Sequence, residues 1–127
     1  MREIKFRGKS VDSGKWVYGY YVLRPFQTHC IYGSDFVEEI DHDTLGQYIG
    51  LKDKDGREIY EGDIVHYRAA TEDSFPNPTA EYDGVVYYDE CGELCFGNFF
   101  AIYCSSVLVL GNIYENPELL DITNCDG

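Results

Sequence analysis

"GLKDKDGREIYEGDIV" (residues 50–65) sets Asp53, Asp55 and Gly56 in the manner of a calcium loop, with Glu58, Glu61 and Asp63 close behind. An EF-hand loop needs oxygen ligands at positions 1, 3 and 5, Gly at 6 and a bidentate Glu at 12. With Gly56 at position 6, position 1 is Leu51 and position 12 is Gly62, and neither can ligate. A hairpin accounts for every residue instead. Asp55-Gly56 is a preferred pair for a tight turn, since both central residues tolerate positive φ. "QYIGLK" (47–52) and "REIY" (57–60) then pair as strands, "EGD" (61–63) turns again, and the acids are solvated turn residues. The stretch specifies β structure and no metal.

Working outward, "REIKFRG" (2–8) alternates as a half-buried strand, "DSGK" (12–15) is a turn, and "KWVYGYYVL" (15–23) is β-branched and aromatic throughout. Pro25 ends that strand. "THCIYG" (28–33), "DFVEEID" (35–41) and "IVHYRA" (64–69) read as strands, whereas "TEDSFPNPTAEYDG" (71–84) reads as a surface loop with two prolines. "GVVYYD" (84–89), "ECGE" (90–93) and "LCFGNF" (94–99) make strand, turn and strand. "SVLVLGNIY" (106–114) is another strand with a bulge or close approach at Gly111. "NPELL" (116–120) starts a short helical turn with Asn116 as N-cap and Pro117 at the first helical position.

Short, closely spaced strands in 127 residues, with 44% hydrophobic and 16% aromatic content, suit a small twisted barrel or sandwich with a packed core. The net charge of −13 argues against direct binding of a phosphate backbone or an anionic membrane. It suits solubility, a basic protein partner, or imitation of the field of DNA. No apolar run reaches the length of a membrane span, and the charged start is unlike a signal peptide, so a cytoplasmic location is expected. The five cysteines are then expected as reduced thiols.

"GLKDKDGREIYEGDIVHY" (50–67), preceded by "MREIKFRG" (1–8) and followed by "LGNIYENPELL" (110–120), resembles the YopX family of bacteriophage and prophage proteins. The three segments stand in the family's order and span the chain; residues 24–46 and 69–83 show no family pattern. The resemblance implies an SH3-like β-barrel in the C-terminal part and expression in a bacterial host cytoplasm. It carries over no activity and no catalytic residue.

Other constellations have plain readings. Cys91 and Cys95 could join His66 or His42 around zinc, but no second Cys or His pair lies near, and buried thiols on strands are expected. Cys30 beside Asp41, His42 and Asp43 lacks any motif framing a nucleophile. Pairs such as Glu38–Glu39 and Asp89–Glu90 are inevitable among 23 acids. In "WVYGYY", Trp16, Tyr18 and Tyr20 share one face and Val17, Tyr21 and Leu23 the other, as in a strand covered on both sides. Trp16, Tyr18 and Tyr20 are therefore the expected protein-contact surface.

The expectation is a mainly β protein, with an N-terminal β lobe (1–45), an SH3-like barrel (46–127, its strands in 46–115) and a short C-terminal helical turn. It is expected to be a non-enzymatic phage accessory protein without cofactor, binding a host protein or itself as a homo-oligomer. The alternative is an acidic DNA mimic acting on a host DNA-binding protein.

Overall fold

The computed structural model describes residues 4–69 and 80–120. The chain is mainly β and divides into two compact units, residues 1–51 and 52–127. In the first, β1 (Phe6–Ser10), β2 (Trp16–Arg24), β3 (Thr28–Tyr32) and β4 (Val37–Lys52) pair antiparallel in succession. β4 also pairs back onto β1, so the four strands form a closed circuit. β2 serves two neighbours: Trp16–Gly19 face β1, and Tyr20–Arg24 face β3. Cys30, Ile31, Ile40, Tyr48 and Ile49 are the buried apolar side chains of this unit.

Residues 37–41 and 47–52, parts of two stretches read as separate strands (35–41 and 47–52), belong to one strand of 16 residues, Val37–Lys52. The polar run Asp41-His42-Asp43 between them is a register shift in the pairing with β1 and not a break. Thr44 makes this possible. Its buried hydroxyl accepts from Lys9 N (2.8 Å) and donates to Asp41 O (2.7 Å), replacing the ladder bonds the shift removes.

The second unit contains β5 (Glu58–Tyr60), β6 (Asp63–Ala69), β7 (Ala80–Tyr88), β8 (Leu94–Phe96), β9 (Phe99–Phe100) and β10 (Cys104–Asn112). One turn of 3-10 helix, Ala101–Tyr103, joins β9 to β10. The sheet order is β10-β6-β7-β8-β9. β6 buries Ile64, Val65, Tyr67 and Ala69, and Val86 of β7 and Cys95 and Phe96 of β8 are buried with them. Tyr67, Tyr82, Phe96 and Phe99 form an aromatic cluster with ring centroids 4.8–6.0 Å apart. Residues 80–84, expected in a loop, are the first half of β7; the rest of that loop lies outside the described residues.

At the C-terminal end, Glu118–Leu120 are helical. The Asn116 side chain, however, is not an N-cap. Its Oδ1 accepts from Asn112 N (3.2 Å), while Asn112 Oδ1 accepts from Tyr114 N and Glu115 N. Asn116 packs so near the Gly111 backbone that a Cβ there would collide with it, which explains both the glycine and the register shift at that point in β10.

Candidate functional site

The Asp53–Arg57 turn differs from the two-residue hairpin expected. Asp53 N donates to Arg57 O (2.8 Å), enclosing three residues, and only Gly56 takes positive φ (88°). The Asp53 carboxylate explains the choice, because Oδ1 accepts from Asp55 N and Arg57 N (2.9 Å each). Its other oxygen accepts from Val109 N (3.0 Å), and Lys54 N donates to Val107 O, so the turn covers the outer edge of β10. Asp53 is 6% exposed and Asp63 2%; Asp63 Oδ2 accepts from Tyr60 N (2.8 Å). Both are structural carboxylates and not solvated turn residues. Burial works to raise the Asp53 pKa, but the bonds from Val109, Arg57 and Asp55 and the Arg57 charge outweigh it and hold it below its ordinary value.

The same spacing recurs at Asp89–Glu93, where Asp89 Oδ1 accepts from Cys91 N and Glu93 N and Gly92 takes positive φ. There it is an exposed hairpin end. One Asp-x-x-Gly pattern thus makes an edge cover in one place and a surface turn in the other.

Of the weighed chemical groups, Cys95 is buried on β8 but Cys91 is exposed in its turn, against the expectation of two buried thiols. Among the described residues no group of three or more His, Cys, Asp or Glu is placed to hold a metal ion. Burial and then Cys95 push the Cys104 thiol up to about 11, and burial raises the Tyr67 hydroxyl. Cys30 is buried, while the His42 ring lies tilted against His29 (centroids 4.4 Å), whose Nδ1 bonds the Tyr21 hydroxyl (2.6 Å). The sequence reading missed this trio, whose members lie up to 21 residues apart.

It weighed His66 only as a zinc ligand and missed its pairing: His66 bonds Glu81 through Nε2 (3.0 Å) and Asp83 through Nδ1 (2.7 Å). The bond to Glu81, then that to Asp83, raises the His66 pKa above 6.5. The sign follows from linkage: this stabilisation is full below the unfolded-state pKa near 6.5 and is lost as pH rises through the higher folded value. A His66→Gln variant is expected to be less stable by about 0.5–1 kcal/mol below that window and to match the parent above it, in urea titrations at several pH values.

Trp16, Tyr18 and Tyr20 lie along β2 as the alternation predicts. Arg7 and Lys9 sit over the Trp16 ring (4.6 and 5.7 Å to its centroid), which partly covers it. Tyr18 is 46% and Tyr20 67% exposed. None of the nine residues of β2 is buried, so the described residues do not supply the two-sided cover expected of this strand. Val22 and Leu23 are also exposed, and Phe26, at the β2–β3 turn, is 100% exposed with φ of 64°.

Charge is distributed unevenly. Residues 1–51 hold six basic and seven acidic side chains, residues 52–127 four and sixteen. No Lys, Arg or His follows Arg68.

A model of the YopX protein family matches residues 5–121, so the chain belongs to the YopX family. Among solved structures it is similar to protein EF1440 from Enterococcus faecalis. The two are 26% identical, with a TM-score of 0.56 over 94% of this chain and 99% of that one. No curated protein matches the sequence. No helix among the described residues is long and apolar enough to cross a membrane.

Proposed function

We propose that this protein is a phage accessory protein that works in the host cytoplasm by binding another protein and not by catalysis. The carrying observation is β2, a nine-residue strand with no buried residue, on which Tyr18 is about half exposed and Tyr20 largely so. Tyr joins apolar area to a polar tip with few rotatable bonds, which suits a contact surface. The reactive groups support a non-catalytic reading. Asp53 and His66 are engaged in structural bonds, and a thiol near 11 holds little thiolate at neutral pH. For residues 52–120, the sheet order and the 3-10 turn between the fourth and fifth strands of that sheet support an SH3-like barrel.

A second reading, a DNA mimic, is favoured by the cation-free stretch after Arg68. It draws nothing from residues 53–63, where Asp53 and Asp63 are buried and Glu58 accepts from the Tyr60 hydroxyl.

Capture from host lysate with the parent and with Tyr18→Ser/Tyr20→Ser as baits tests the two readings. Under the first, a partner is retained at high salt by the parent and lost by the double variant. Retention of a DNA-binding protein that salt or DNA releases, equally by both baits, replaces it with mimicry. Equal salt-resistant capture by both baits removes the role of β2.

A further inference from the structure

We propose that the β2–β3 hairpin tip of one copy seats on an acid-rimmed aromatic patch in the second unit of another copy, joining molecules head to tail. The tip is Leu23-Arg24-Pro25-Phe26-Gln27. Leu23 is 51% exposed and Phe26 fully exposed, with the charged Arg24 between them. Phe26 and Gln27 both take left-handed φ (64° and 58°). A bulky aromatic there is strained, and strain of this kind collects where a surface is used. Nothing about solubility calls for a phenylalanine projecting fully into water.

The receiving surface is built by pairing. Tyr87 faces Cys95, and Cys95 faces Phe100, so the three side chains form a row across β7, β8 and β9. Tyr87 is 40% and Phe100 45% exposed, and the 3-10 turn adds Ile102 (84%) and Tyr103 (49%). The turn that joins β7 to β8 carries Asp89, Glu90 and Glu93, and Asp89 Oδ1 accepts from Cys91 N and Glu93 N within it. A shallow open depression lined by Tyr87 through Cys91 adjoins the row.

Exposed apolar area and charge then specify the occupant. An exposed apolar tip carrying Arg24 complements an exposed aromatic surface beside carboxylates, in a stretch that supplies no cation of its own. This chain carries both halves. Tip and patch are different surfaces, so each tip-on-patch contact is heterologous and leaves one tip and one patch for further contacts. A hairpin tip covers less than a standard interface, so association in the range of tens to hundreds of micromolar is expected. The proposal uses neither Tyr18 nor Tyr20 and stands independently of the host-protein reading.

The test is sedimentation equilibrium on the full chain with Phe26→Asp and Ile102→Asp, two exposed positions where the change leaves the core intact. The parent should exceed its monomer mass of 14.6 kDa as concentration rises, and less so in high salt. Each variant alone should stay monomeric. Mixed, they should form a dimer, because Ile102→Asp keeps a working tip and Phe26→Asp a working patch. A parent that stays monomeric to millimolar concentration overturns the proposal. So does self-association of either variant at the parent's strength, or a mixture that stays monomeric where the parent associates.

Discussion

Asp53→Ala is expected to lower stability by about 3 kcal/mol, because it removes the single acceptor of three backbone N–H groups, one of them 56 residues away on β10. The donors are left in a site that is 6% exposed, where water cannot freely replace the lost oxygen. Asp53→Asn separates the two jobs of the carboxylate. Its one remaining oxygen can keep the Asp55 and Arg57 bonds, but its amide then faces the Val109 N–H donor to donor. About half to two thirds of the loss is expected from it. The carboxylate's depressed pKa adds a pH signature. Its stabilisation is complete above 3.8, the unfolded-state value, and fades as pH falls through the lower folded value. Urea titrations of the three proteins from neutral to acid pH measure this. Asp53→Ala unfolding at the parent's midpoint at neutral pH would remove the edge-cover account.

Gly19→Ala is the second substitution with a large expected effect, about 3 kcal/mol. Gly19 stands where β2 passes from β1 to β3, and an added Cβ there meets the Tyr32 carbonyl oxygen well inside contact distance, with the Ile31 side chain also near. The obstruction is backbone, so no rotamer change relieves it, and the β2–β3 ladder must spread. Gly14→Ala is the control. Gly14 has positive φ but open space around its Cβ position, so only conformational strain of about 1 kcal/mol is expected. Trp16, the single tryptophan, lies three residues before Gly19 on the same strand and reports the unfolding of this unit by fluorescence. A Gly19→Ala protein as stable as Gly14→Ala would show that the ladder tolerates the methyl group.

These two residues mark what is legible in the sequence and what is not. Asp55-Gly56 announces a turn, and alternation along 15–23 announces a strand, because both signals depend on neighbours in the chain. The family segments at both ends of the chain were equally plain. The burial of Asp53 was not, since the same Asp-x-x-Gly spacing is exposed at Asp89 and only Val109, far along the chain, distinguishes the two. The unbroken β4 was hidden for a similar reason. Asp41-His42-Asp43 looks like a loop until Lys9 of β1 is seen to bond Thr44. The candidate site divides likewise. Tyr18 and Tyr20 were visible by spacing, but the Phe100–Tyr103 patch needs the β8–β9 pairing before it becomes a surface. One signal was in plain view: the cation-free run after Arg68 localises the acidity that a net charge of −13 leaves unplaced.

The pairings also impose an order on synthesis. A chain emerging from the ribosome N-terminus first has every partner of the closed four-strand circuit once Gln47 is out. β6 waits in the same way. It is the most buried strand of its sheet, and β7 can cover one of its edges, but the other waits for Cys104–Asn112, the last strand among the described residues. Until then a strand reading Asp-Ile-Val-His-Tyr-Arg-Ala presents an open row of amides and carbonyls to any nascent neighbour, as the β4-facing edge of β1 does until residues 40–47 are made.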